Sequence, residues 1–185
     1  MTHRWIITAL GKDRPGIVAG VAKVLYGLGC NLEDSAMTRL EGEFAIMLIF
    51  ESPPRVTVTA LRRAFEPLRR RLRLTVHLKP LTKPEASTPP RRGKAYLISV
   101  YGADRPGIVF RVAEGLANAG INITDVETHR SEQPMSATRP PLYMMLLEVE
   151  VPQRLSVAVL QRKLERLARS LGVEVSLRPV GAEIL

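Results

Sequence analysis

Short apolar runs and helically spaced apolar residues follow one another along this chain in a fixed order. Arg4–Leu10 is short, apolar and β-branched and reads as a strand that breaks at Gly11. Ile17, Val21, Val24 and Leu28 then form one apolar stripe of a helix, and Gly29 ends it. Asn31–Leu40 and Phe44–Phe50 read as two strands joined through Glu41-Gly42-Glu43, a short hairpin turn. Leu61, Phe65, Leu68 and Leu72 give a second helical stripe, which Pro67 should kink or end early. Leu74, Val76 and Leu78 alternate as a last strand.

The same series then returns. Trp5-Ile6-Ile7-Thr8 aligns with Tyr96-Leu97-Ile98-Ser99, and Gly11–Val18 with Gly102–Val109, at an offset of 91. Gly29–Asp34 matches Gly120–Asp125 at the same offset, which becomes 98 at Phe44/Leu142 and 99 from Leu61/Leu160 to Pro80/Pro179. Ile108, Val112, Gly115 and Ala119, followed by Gly120, repeat the first helical stripe; Val173, Val175 and Leu177 repeat the last strand. Each copy reads βαββαβ, so the fold class is α+β: two ferredoxin-like domains in tandem. Their expected bounds are residues 1–80 and 95–181, with a Pro-rich linker at 81–94. A hairpin insertion at about 130–141, with Pro134, Pro140 and Pro141, replaces the tight turn of the first copy. A sheet covered on one face leaves an edge strand for pairing, so the copies are expected to sit side by side. The edge left over can join two chains into a homodimer.

Composition narrows the function. The net charge of +9 has a local source, Arg62, Arg63, Arg69, Arg70, Arg71 and Arg73 on and after the second helix. That cluster reads as a solvated helix face or as a surface for an anionic partner such as an acidic protein. RNA-recognition modules of this topology need exposed aromatics on central strands. Phe44–Phe50 does not supply them and aromatics are 5% of the chain, so direct nucleic-acid binding is disfavoured. No apolar run approaches the roughly 18 residues of a membrane span. A single cysteine excludes an intrachain disulfide, and a cytoplasmic location is expected.

Enzymatic signatures are missing: there is no phosphate-binding glycine loop and no nucleophile elbow. His3, His77 and His129 are scattered, so no metal or cofactor is expected; Cys30 and the Met144-Met145 pair read as core. The candidate site is the glycine-containing turn that feeds each first helix, where free N–H groups and the positive helix end suit a carboxylate. Asp13 is expected to cap that helix by accepting the Gly16 N–H, with Pro15 in the first turn. Asp13 and Asp104 equally suit a ligand ammonium, and Asn31 and Asn122 could bring an amide to the same place. On residue chemistry alone, a purely structural turn that binds nothing fits as well.

The Asp-Arg-Pro-Gly-Ile-Val loop, the Gly-x-Asn start of the next strand and the βαββαβ order resemble the ACT domain, twice, over nearly the whole chain. ACT domains are regulatory modules that bind amino acids at interfaces between paired copies. Ile7-Thr8-Ala9-Leu10-Gly11 and Gly29–Ser35 look like the glycine cleavage system transcriptional repressor family, tandem ACT proteins understood to contact a DNA-bound activator with glycine as signal. The resemblance implies a ligand loop of Gly11, Asp13, Arg14, Pro15, Gly16, Ile17 and Val18 with Asn31. In the second copy it implies Gly102, Asp104, Arg105, Pro106, Gly107, Ile108 and Val109 with Asn122. Serine-binding ACT domains can carry His where Gly11 stands and Asn where Asp13 stands; this chain has neither. The implied function is a non-catalytic regulator that binds a small, glycine-like amino acid and modulates a transcriptional regulator through protein contact. The alternatives are an amino-acid-sensing subunit of a metabolic enzyme and a basic nucleic-acid-binding protein. Formyltetrahydrofolate deformylases open with a similar domain, but a second ACT copy stands where their hydrolase domain would start.

Overall fold

A computed structural model describes residues 2–82, 93–136 and 139–181; most of the expected linker, residues 83–92, lies outside them. The chain divides into two compact units, Met1–Thr88 and Pro89–Leu185. The first contains β1 (His3–Lys12), α1 (Ile17–Gly27), β2 (Asn31–Leu40), β3 (Glu43–Ser52), α2 (Val58–Leu72) and β4 (Thr75–Pro80). The second contains β5 (Gly93–Ala103), α3 (Ile108–Asn118), β6 (Asn122–Ser136), β7 (Arg139–Pro152), α4 (Val157–Leu171) and β8 (Val173–Pro179).

Each unit is a four-stranded antiparallel sheet, ordered β2-β3-β1-β4 in one and β6-β7-β5-β8 in the other. Period-two alternation decides which face is covered. Trp5, Ile7 and Ala9 of β1 and Phe44, Ile46, Leu48 and Phe50 of β3 are buried with Ile17, Val21 and Leu25 of α1 and Leu61, Phe65 and Leu68 of α2. Ser52, buried in that core, accepts the indole N–H of Trp5 at 2.9 Å. Ile98, Val100, Met145, Leu147 and Val149 meet Ile108, Val112, Leu116, Leu160 and Leu164 in the second unit. The outer strand β2 is exposed along its whole length, and Leu10, Met47, Tyr101 and Met144 are exposed on sheet strands.

Three sequence expectations change here. Pro67 does not end α2, which runs through it to Leu72, because Leu61, Phe65 and Leu68 anchor both sides of the proline in the core. The strand register sets the second half of the repeat at an offset of 99 throughout. Phe44 faces Gly11 across the ladder, and Tyr143, not Leu142, faces Gly102. A one-residue slip would put the buried row on the open face. Within the hairpin insertion β6 and β7 continue to pair, with Pro134 opposite Pro141 and Ser136 opposite Arg139. Finally, Leu25 and Leu116 rather than Val24 and Gly115 are the deepest residues in mid-helix, although Val24 and Leu28 pack against the core. The tight turn of the first copy holds as read, with Glu41 at φ 49° and Gly42 at φ 76°.

Candidate functional site

Strand β1 carries the chain to one end of the sheet, and the loop Lys12–Gly16 turns it into α1. Gly11 is required there for packing: a Cβ would lie 2.9 Å from Leu74 Cδ2 and 3.3 Å from the Arg73 carbonyl oxygen. Gly102 meets Val173 as tightly, at 2.9 Å from Cγ1. Gly16 and Gly107 have a different task. Both sit at the helix N-cap with φ of 93° and 95°, a left-handed conformation that glycine adopts without strain. Their carbonyls accept the first intrahelical bonds, from Gly20 and Arg111, each at 2.9 Å.

The expected aspartate cap does not form. No side chain caps α1 or α3, and the helices begin at Ile17 and Ile108, past Pro15 and Pro106. The Asp13 amide instead donates to the Gly42 carbonyl at 2.9 Å and its carboxylate accepts from Arg39 Nη1 at 3.0 Å. Asp104 repeats this, its amide donating to Pro141 O at 2.8 Å and its carboxylate accepting from Arg130 Nε at 2.7 Å. Backbone bonding ties Asp13 to the hairpin turn at Gly42 and Asp104 to Pro141 of β7, and neither side chain caps its helix. The arginine partners were missed in the sequence, although Arg39 and Arg130 share the offset of 91 with their aspartates.

The remaining candidates separate. Ile17 and Ile108 are core residues, whereas Val18 and Val109 stand nearly half exposed at the helix start. Arg14 is exposed; Arg105 lies over the end of α4, where a Cβ at Gly172 would come within 3.2 Å of its Nη1. Asn31 and Asn122 do open β2 and β6, but at the far end of the sheet. Asn31 pairs with Glu51, opposite Arg4, while the loop adjoins Phe44. Seven residues of strand at ~3.3 Å each separate the two, over 20 Å. The helix returns the chain to the end where β1 began, so an asparagine and the loop of its own copy cannot share a small ligand.

Two further groups shape the electrostatics. Burial pushes the Tyr143 phenol up, opposed by a hydrogen bond with Thr128 and reinforced by the Asp104 charge; Phe44 takes this place in the first copy. Burial also raises the half-buried Cys30 thiol. Among the described residues no three of His, Cys, Asp and Glu cluster to hold a metal, and no helix is long and apolar enough to cross a membrane.

A four-stranded antiparallel sheet with two helices on one face, entered through an uncapped glycine junction and present twice, defines a tandem ferredoxin-like protein. The chain belongs to the ACT-domain family, whose models match residues 3–79 and 96–168. It is 37% identical over 73 residues to a UPF0237 protein of Streptococcus pneumoniae, covering 40% of this chain and 83% of that protein. It is 45% identical over 47 residues to the glycine cleavage system transcriptional repressor of Escherichia coli, a quarter of each chain. An unknown protein from Galdieria sulphuraria has the same tandem architecture. It shows a TM-score of 0.78 and 26% identity over 97% of this chain and 99% of that one. The chain is thus a tandem ACT-domain protein related to the glycine cleavage repressor.

Proposed function

We propose that this is a non-catalytic regulatory protein that binds a small amino acid, glycine first among them, where the Gly11–Val18 and Gly102–Val109 loops enter α1 and α3. Binding then alters its contact with a transcriptional regulator of amino-acid metabolism. The observation that carries the proposal is the junction itself, built twice with the same parts: an uncapped helix start, a left-handed glycine, and an aspartate paired with an arginine. The open N–H groups suit an α-carboxylate, and the aspartate suits an α-ammonium. Arg39 and Arg130 orient those aspartates and offer a second cation to the carboxylate. Asn31 and Asn122, too far from their own loops, take no part in the site of this proposal. The ligand shifts partner affinity only as far as it binds the free and partner-bound states differently.

Thermal unfolding of the full chain against each of the twenty amino acids tests the proposal. A small amino acid in excess over its Kd raises the midpoint by mass action, and replacing both Arg39 and Arg130 by Ala reduces the rise. Midpoints unchanged across the whole panel would remove amino-acid sensing.

A further inference from the structure

On the helical face of the first unit, α1 and α2 leave a groove of about 500 Å³ that begins at Gly20, one turn past the Gly16 junction. Its floor is apolar, from Val24, Leu28, Pro67 and Leu68, and its rim carries Lys23 and Arg71. The lining residues recur at helical spacing on both helices, from Gly20 to Leu28 and from Ala64 to Arg71. They form a trough about 10–12 Å long at 1.5 Å per residue, the reach of i, i+4 and i+7 anchors on an incoming helix.

The cations there are unspent. Arg69 and Arg70 both close on Glu66, at 2.8 and 2.6 Å. Lys23, Arg63 and Arg71 have no acidic partner among the described residues. Glycine at position 27 is not imposed by packing, since a Cβ there meets nothing within 4 Å. Gly20 differs, because its Cβ would strike Leu68 Cδ1 at 2.6 Å. The second copy does not repeat these residues. Val24, Leu28 and Pro67 of the floor stand where it has Gly115, Ala119 and Arg166, and Lys23 and Arg71 where it has Glu114 and Ser170.

We propose that the α1–α2 groove of the first unit docks an acidic amphipathic helix of a partner protein, with apolar anchors on Val24, Leu28 and Leu68 and carboxylates against Lys23 and Arg71. This names the surface behind the partner contact in the proposed function and rests on that reading. It also places the partner on the helical face of the first unit.

The test is fluorescence anisotropy with a labelled designed helix carrying Leu at i, i+4 and i+7 and Glu on both flanks, titrated with the full chain. Saturable binding is expected, reduced at least about tenfold by Lys23→Glu with Arg71→Glu. A helix carrying Lys in place of Glu should be rejected by the native chain and accepted by that reversed variant. Gly27→Leu should abolish binding while circular dichroism stays native, because the added side chain enters open space. Absence of binding, binding that survives Gly27→Leu, or equal binding of the Lys helix would overturn the proposal. Amino-acid titration of the same sample reports on sensing separately, so the groove can fail while the ligand site stands.

Discussion

At the residue scale, each glycine of the junction has its own reason. At Gly11 the Arg73–Leu74 link before β4 leaves no room for a side chain, and at Gly102 Val173 of β8 leaves none, whereas Gly16 and Gly107 are held by their backbone angles with open space around Cβ. Gly102→Ala should therefore overpack against Val173 and cost roughly 1–3 kcal/mol in chemical denaturation. A cost near zero would mean that β8 yields freely there. Arg73 is the reverse case. It ends α2 at φ 53°, where Gly172 does the same for α4 at φ 67°. A side chain in that region costs about 1–2 kcal/mol, so Arg73→Gly should raise the denaturation midpoint. A lowered midpoint would show that the arginine makes compensating contacts.

At the element scale, α2 combines a strong apolar stripe with crowded surface charge. Arg69 and Arg70 hold Glu66 at a pKa of about 2, well below its ordinary 4.5, chiefly through their hydrogen bonds. A depressed carboxylate stabilises the fold above its unfolded pKa and loses that contribution as pH falls through the folded one. Native chain should thus exceed Glu66→Gln in stability at neutral pH, with the margin shrinking between pH 4.5 and 2. Solvent around this partly exposed pair keeps the margin small and salt-sensitive; a margin that grew on acidification would contradict the pairing.

Element order and type were legible because apolar period and turn residues agree at each step, from the Ile17 stripe to the Glu41-Gly42 turn. What was not legible depends on tertiary direction. Nothing local to Asn31 says that β2 starts at the end of the sheet opposite the loop. Nothing local to Asp13 says that the Gly42 carbonyl and Arg39 will draw it from the helix cap. Burial of Phe65 and Leu68 overrode the helix-breaking tendency of Pro67. The eight-residue insertion is legible as an offset stepping from 91 to 99, but apolar character alone aligns Phe44 with Leu142, one residue short of Tyr143. Apolar runs that are nearly continuous, such as Phe44–Phe50, do not mark their own register.

At the scale of the whole molecule, two copies of one regulatory domain share a junction but differ around it. The first carries the apolar groove between α1 and α2, and the second a tyrosine beside its aspartate and an extended hairpin. The proposed function divides its two tasks, sensing a ligand and presenting a surface to a protein, over these features. Isothermal titration calorimetry of the full chain with glycine, then with serine and the remaining amino acids, addresses this most directly. Saturable heat is predicted for a small amino acid, with its stoichiometry giving the number of loops in use and with loss of the heat in Asp13→Asn combined with Asp104→Asn. No heat from any amino acid, with the fold intact, would contradict the sensing role and leave a protein that works through its surfaces alone.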